Sequence, residues 1–376
     1  MFKVIIHRPM SHKIGLKNRV IKVEYDDFNV IIHRPIPHNQ VKIYENCSII
    51  YTVGVQKYFN GWEVRQMLKG KDLLSIHDLS VDEVNEILAL GHELKAKQRA
   101  GIEHHLLKGK TLGMIFEKSS TRTRLSFETG MYQLGGQALF LSNRDLQLGR
   151  GEPIKDTARV MSRYLDGIMI RTYGHDRVEE FAQWSDVPVI NALTDLLHPC
   201  QVLTDLLTIQ EHKGKNLKGL KMAYVGDGNN MTNSYMYGCA KAGMEFVAAT
   251  PKGFEPDEQV MKNAIEDAKE TGASIKLVTD PFEAAKGADI VVTDTWASMG
   301  QEAEHDERKK IFKDYQVNAE LLKEADKRVI VMHCLPAYRG EEITDEIMEA
   351  YADVIFDEAE NRLHTQKAIM ALLMGD

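Results

Sequence analysis

The sequence predicts an α/β protein made of two doubly wound parallel-sheet domains joined by helices. Two observations carry that prediction. Short apolar runs alternate with amphipathic helical patterns from residue 67 onward, and the alternation runs through twice, with the polar stretch Lys213-Gly214-Lys215-Asn216 between the rounds. Alternating strand and helix signals bury their apolar faces as a parallel sheet covered by helices on both sides. A chain of 376 residues gives room for roughly two or three such units.

Residues 1–66 break the pattern. Val4-Ile5-Ile6-His7-Arg8-Pro9 recurs as Val30-Ile31-Ile32-His33-Arg34-Pro35, 26 residues later. The apolar stretches carry no helical stripe and end at prolines, which do not suit a central strand. The segment reads as an upstream leader with Met67 as the biological start, a reading that peptides from residues 1–66 in the native protein would overturn. The rival is a small accessory extension, such as a hairpin at an oligomer edge.

In the first round, Ser80-Val81-Asp82-Glu83 is a capping box opening a helix whose face carries Val84, Ile87, Leu88 and Leu94 and which Gly101 ends. Strands follow at 111–116, 137–142, 167–172 and 187–190, with helices between them. Past Phe116, Leu125, Phe127, Met131 and Leu134 recur at helical spacing. The helix from Pro199 to about Glu211 leads to the polar break. The second round places strands near 220–226, 245–249, 275–278, 289–293 and 329–333, then helices over about 344–353 and 358–373.

The stretch Ser119-Ser120-Thr121-Arg122-Thr123-Arg124 therefore lies where a strand turns into a helix. A helix N-terminus presents free backbone N–H groups and a partial positive charge, so an anionic oxyacid can dock there. Ser120, Thr121 and Thr123 add short donors, and Arg122 offers a planar fork matching two oxygens at once. Elsewhere the chain gives little pull on anions: a net charge of −8 predicts no general attraction to nucleic acid or acidic membrane. Cys47, Cys200, Cys239 and Cys334 lack metal-ligand spacing, which suits a reducing compartment, and no apolar run is long enough to span a bilayer. A cytoplasmic protein is the default. Gly226-Asp227-Gly228 follows a strand, but Met231 stands where a dinucleotide fingerprint needs its third glycine.

Ser-Thr-Arg-Thr-Arg at a strand-to-helix turn, followed in order by His198-Pro199-Cys200-Gln201 and His333-Cys334-Leu335-Pro336, resembles the aspartate and ornithine transcarbamylase family from about Met67 to the C-terminus. The resemblance implies a carbamoyl phosphate-binding domain over 67–213 to which a C-terminal helix, 354–376, returns, and an ornithine-binding domain over 214–353. It implies a reaction with no cofactor and no metal, in which the δ-amino group of ornithine attacks carbamoyl phosphate to give citrulline and phosphate. It further implies a homotrimer, or a multiple of trimers, with shared active sites.

By the same resemblance Ser120, Thr121, Arg122 and Thr123 bind the phosphate, and Arg171 is a second phosphate or carbonyl ligand. His198 donates to the carbonyl oxygen, Gln201 accepts from the carbamoyl amine, and Arg362 aims at the carbonyl oxygen. Gln147, in a polar loop, reaches the neighbouring subunit's site. Asp294-Thr295-Trp296-Ala297-Ser298-Met299-Gly300 resembles the ornithine-side loop, so Asn230, Asp294, Ser298 and Met299 bind the amino acid, with the Cys334 thiol and the Leu335 carbonyl beside the attacking amine. Arg122, Arg171, His198, Gln201, Cys334 and Arg362 are thus the implied catalytic set. The alternatives are a transferase for putrescine or N-acetylornithine, and a non-catalytic anion-binding relative that keeps only the fold.

Overall fold

A computed structural model of the chain describes residues 15–17, 20–25, 28–32, 41–44, 48–51, 68–297 and 304–375. Two units separate, Met1–Glu63 and Val64–Asp376. In the first, β1 (Gly15–Lys17), β2 (Val20–Tyr25) and β3 (Phe28–Ile32) form an antiparallel sheet, and β4 (Val41–Tyr44) pairs antiparallel with β5 (Ser48–Tyr51). The second copy of the repeat thus supplies β3 through Val30–Ile32, while the first copy and Met67 lie outside the described residues.

The second unit opens with α1 (Val81–Arg99). The Ser80 hydroxyl accepts from the Glu83 N–H and the Glu83 carboxylate accepts from the Ser80 N–H, the capping box the sequence predicts. β6 (Thr111–Phe116) then feeds α2 (Thr121–Gln133), and Phe127, Met131 and Leu134 are buried beneath it. Leu125, placed on that face by spacing, is exposed instead, because it shares the opposite side of the helix with Tyr132. β7 (Gln137–Ser142), α3 (Ile154–Met161), β8 (Gly167–Arg171), α4 (His175–Trp184) and β9 (Val189–Leu193) complete a parallel sheet of order β7-β6-β8-β9. β9 starts two residues later than predicted and runs to Leu193. Pro188 has no N–H to give the ladder and contributes only its carbonyl, which accepts from Ile168.

α5 (Pro199–Lys213) crosses to the second sheet and ends where Gly214 adopts φ +98°. There β10 (Lys221–Val225), α6 (Asn230–Ala242), β11 (Glu245–Ala249), α7 (Glu258–Thr271), β12 (Ser274–Val278), α8 (Pro281–Ala285) and β13 (Ile290–Thr293) repeat the scheme. After α9 (His305–Ile311) and α10 (Ala319–Leu322), β14 (Ile330–His333) completes a parallel sheet of order β12-β11-β10-β13-β14. In both sheets the chain reverses direction across one strand, β6 in the first and β10 in the second. A crevice at the carboxyl ends of such strands is where open parallel sheets receive ligands.

α11 (Asp345–Ala350) is followed at once by α12 (Ala352–Met374), which begins six residues before the predicted 358. Its first turns carry Val354 and Ile355, buried against the second sheet's side of the unit, so helical structure there is stabilised by packing that periodicity around 358 does not reveal. Beyond them α12 packs on α1, α2 and α5. One polar node pins it: the Asn361 amide accepts from Lys95 at 2.7 Å and donates to Glu211 at 2.8 Å and Thr208 at 3.0 Å. Lys95 is almost fully buried and depends on those acceptors. Asn361→Ala should therefore lower stability by about 1–3 kcal/mol through unsatisfied buried groups, read as an earlier midpoint in chemical denaturation with an unchanged slope.

Candidate active site

The carboxyl ends of β6, β8, β10, β13 and β14 border a cleft of about 860 Å³. Residues delivered by both sheets line it, among them Ser120–Thr123, Arg171, His198, Gln201, Asn230, Asp294, Cys334, Leu335 and Arg362.

The corner at α2 is built first by capping. Ser120 is the N-cap, its hydroxyl accepting from the Thr123 N–H at 3.2 Å and donating to Thr123 Oγ1 at 3.0 Å. The hydroxyls predicted to meet an anion are thus partly engaged within the turn, and the helix end itself remains as the donor surface. Arg122 extends across the cleft and donates to the Leu335 carbonyl. Leu335 holds φ +59°, a conformation uncommon for a residue with a Cβ, and this turns its carbonyl toward the cleft.

Arg171 ends β8, buried, with its Nε unpartnered. Arg362 arrives from α12, 239 positions along the chain from Thr123, and donates to Gln201 Oε1 at 2.6 Å and Thr123 Oγ1 at 3.2 Å. Three guanidinia therefore share one corner with neutral acceptors only. Burial, then the neighbouring Arg362 and Arg122, pulls Arg171 down to about 9, and burial lowers Arg362 as well. An arginine lowered that far still carries its charge at neutral pH, so the corner is strongly electropositive.

His198 stands at the N-cap position of α5, but its ring makes no capping bond; its backbone N–H donates to Ser234 Oγ at 2.7 Å instead, leaving the imidazole to line the cleft. Its Nδ1 is buried without a partner. Burial and then Arg362, Arg171 and Arg122 hold the imidazole well below the usual histidine range, hence neutral at pH 7.

The opposite wall is acidic and thiol-bearing. Asp294 follows β13 and accepts from the Cys334 thiol at 3.2 Å, the Asn229 amide at 3.0 Å and the Thr295 N–H at 2.8 Å. Cys334 is partly exposed at the cleft floor, yet the protein around it desolvates the thiol and, with Asp294, pushes it well above the ordinary cysteine range, so it is no thiolate. Asp294, His333 and Cys334 bring donor atoms within 4.8 Å of one another. A metal there would have to displace existing bonds: His333 accepts from the Leu335 N–H through Nδ1 and meets Glu342 through Nε2 at 3.0 Å.

Asn230 also lines the cleft, with its amide nitrogen donating to Thr194 O at 2.7 Å. Gln147, in contrast, is exposed on the turn Gln147–Arg150 and does not border this cleft. Ser298, Met299 and Gly300 lie outside the described residues.

Several cleft residues escape the sequence reading. Lys118 pairs with Asp195 and sits over the Tyr173 ring. Arg308 is buried against Asp227 Oδ2 at 2.7 Å and the Trp296 carbonyl at 2.8 Å. Asp205 and Glu358 flank Gln201 and lie one helical turn from Gln201 and Arg362 respectively, a spacing that could have found them. The Arg308–Asp227 pair spans 81 positions and leaves no local signal.

Residues 71–211 match the carbamoyl-P binding domain of the aspartate/ornithine carbamoyltransferases, and residues 218–373 match their Asp/Orn binding domain. The chain is 59% identical over 307 residues to an ornithine carbamoyltransferase of Carboxydothermus hydrogenoformans, covering 82% of this chain and 98% of that one. Against one from Syntrophotalea carbinolica it is 60% identical over 305 residues, with 81% and 99% covered. The solved ornithine carbamoyltransferase of Pyrococcus furiosus superimposes with a TM-score of 0.79 at 54% identity, over 82% of this chain and 98% of that one.

The His198 imidazole should show no titration through the usual histidine range in ¹³C or ¹⁵N NMR of the free protein, since a lowered pKa confines its charged form to more acidic solution.

Proposed function

The chain belongs to the aspartate/ornithine carbamoyltransferase family, and from that premise we propose its reaction: transfer of the carbamoyl group of carbamoyl phosphate to the δ-amino group of L-ornithine, giving L-citrulline and phosphate. The observation that carries the reading is the polarity of one cleft, with three guanidinia and a neutral imidazole at one end and Asp294 with Cys334 at the other.

The α2 N-terminus with Ser120, Thr121, Arg122 and Thr123, together with Arg171, binds the phosphate of carbamoyl phosphate. Its carbonyl oxygen faces His198 and Arg362, and its nitrogen faces Gln201. Asp294 and Asn230 receive the α-ammonium and α-carboxylate of ornithine, with Ser298 and Met299 contributing from the same loop. The δ-amine, uncharged, approaches between the Leu335 carbonyl and the carbonyl carbon. Its lone pair forms the C–N bond while the C=O electrons move to oxygen. The developing oxyanion is met by donors already in place, which costs no reorganisation at the moment of reaction. Collapse expels phosphate, whose charge the guanidinia hold, and the proton shed by the amine passes to the departing phosphate. Cys334 stays a thiol throughout and forms no bond to carbon.

Asn230 supports ornithine over putrescine, which keeps both amines but has no α-carboxylate for an amide N–H at the cleft to bind. Sharing of sites within a homotrimer is supported by an uncovered face: β7 is an edge strand of its sheet with Leu139 and Phe140 exposed, next to Leu125 and Tyr132 on α2. Edge strands bearing apolar side chains call for a partner, and that face adjoins the loop carrying Gln147. Among the described residues no helix is long and apolar enough to cross a membrane, and the free thiols Cys200, Cys239 and Cys334 suit a cytoplasmic setting.

Arg122→Ala should cut kcat/KM for citrulline formation by at least ~10³-fold, and mixing it with Gln147→Ala should restore activity through hybrid trimers. Near-normal turnover in the first variant would refute the phosphate assignment, and no recovery on mixing would refute the shared site. Asn230→Ala should raise KM for ornithine while leaving any putrescine rate in place. Undiminished use of ornithine would point to a different acceptor.

A further inference from the structure

The Gln201 side chain is almost fully buried, and all but one of its hydrogen-bonding positions are spent. Its nitrogen donates to Asp205 Oδ1 at 2.8 Å and to Glu358 Oε1 at 3.1 Å, which uses both N–H bonds. Its oxygen accepts from Arg362 Nη1 at 2.6 Å, which leaves one lone pair at the cleft. Rotating the amide by half a turn would set NH₂ against the guanidinium and oxygen against two carboxyl groups. Both ends would then be mismatched at a buried side chain.

Each carboxyl is held from behind. Asp205 Oδ2 accepts from the Tyr235 hydroxyl at 2.6 Å, and Glu358 Oε2 accepts from the His333 N–H at 2.9 Å. Burial raises both acids, Asp205 to about 6, and Asp205 pushes Glu358 higher still, while Arg362 partly offsets both. Two buried carboxyls side by side keep a proton between them, which limits the charge to be housed while leaving acceptor oxygens toward Gln201. The spacing serves the arrangement: α5 carries Gln201 and Asp205 one turn apart, and α12 carries Glu358 and Arg362 one turn apart.

We infer that Asp205 and Glu358 are positioning residues that fix the Gln201 amide with its oxygen toward the cleft, and so make the site select an acyl phosphate whose carbonyl bears an NH₂ over one that bears a methyl there. The inference rests on the proposed carbamoyl transfer and extends it to the origin of donor specificity. Neither acid touches the substrate. An acetyl group offers nothing to the free lone pair and leaves a buried acceptor unmet, the kind of mismatch by which polar sites discriminate between near-isosteric ligands.

The test is calorimetry on the full-length protein with carbamoyl phosphate, acetyl phosphate and inorganic phosphate, run beside a citrulline assay. Wild type should bind carbamoyl phosphate at least about tenfold more tightly than acetyl phosphate. Glu358→Gln turns an NH₂ toward Gln201 or the His333 N–H, and Asp205→Leu removes an acceptor. Each should weaken carbamoyl phosphate about tenfold and leave acetyl phosphate and inorganic phosphate within about twofold. Asp205→Asn, which keeps an oxygen for Gln201, should lose less than Asp205→Leu. A merely structural role would weaken all three ligands together. Should Asp205→Leu not fold, Glu358→Gln decides alone. Folded variants that keep the wild-type ratio of carbamoyl to acetyl affinity overturn the inference. A wild type that binds carbamoyl phosphate with the expected preference yet makes no citrulline overturns the proposed reaction instead.

Discussion

Three guanidinium groups held together in a low-dielectric corner, with no carboxylate among the described residues bonded to any of them, are the constraint on which the rest of the structure depends. Like charges at such a site repel and lose hydration, and burial accordingly lowers Arg171 and Arg362. Neutral oxygens hold two of them: Gln201 Oε1 and Thr123 Oγ1 accept from Arg362, and the Leu335 carbonyl accepts from Arg122. Each oxygen is fixed by its own support, whether a helix turn, a carboxyl pair or an unusual backbone angle. A doubly charged acyl phosphate bound there would relieve the mutual repulsion.

That corner cannot be made from one stretch of chain. Arg122 comes from the β6–α2 turn, Arg171 from the end of β8 and Arg362 from a helix that follows the whole second sheet. The packing of α12 on α1, α2 and α5, pinned at Asn361, therefore determines whether the third cation arrives. The same contacts tie the two sheets. Glu358 accepts from the His333 N–H at the end of β14, and Asn230 at the start of α6 donates to the Thr194 carbonyl just past β9. Both sheets aim the carboxyl end of their reversal strand, β6 or β10, at one cleft, so the topology gives two faces with different chemistry and a shared opening.

How much of this was legible in the sequence depended on range. The strands and most helices could be read because apolar alternation and caps such as Ser80–Glu83 are local. Ser120–Thr123, His198–Gln201 and Cys334–Leu335 could be read because each is a contiguous motif at the end of a strand. Leu125 was misassigned because spacing identifies a helix face without saying which neighbour covers it. The early start of α12 was missed because Val354 and Ile355 are stabilised by tertiary packing. Lys118 with Asp195, and Arg308 with Asp227, were invisible because a pairing between distant positions has no signature until the fold brings them together. Asp205 and Glu358 fall between these cases: one turn from recognised residues, they were within reach of the spacing rule, but nothing in sequence says that both point at the same amide.

The distribution of charge along the cleft also bears on the amine. Fixed cations stand at the phosphate end, while the groups nearest the reacting centre that could titrate, His198 and Cys334, are both kept neutral by burial. In the proposed reaction a cationic δ-ammonium moving toward that end would be opposed by the guanidinia, whereas an α-ammonium would meet Asp294. Opposed charges a few ångströms apart in a partly desolvated cleft interact by on the order of several kcal/mol at an effective dielectric near 20, enough to shift an amine toward its neutral form at one end while holding its partner charged at the other. Ornithine bears two amines, and the δ-amine is intrinsically the more basic. The gradient from Asp294 to Arg171 would tell them apart, leaving the one near the carbonyl carbon with a free lone pair and the other as an anchor, so the cations that gather the phosphate would also make the nucleophile.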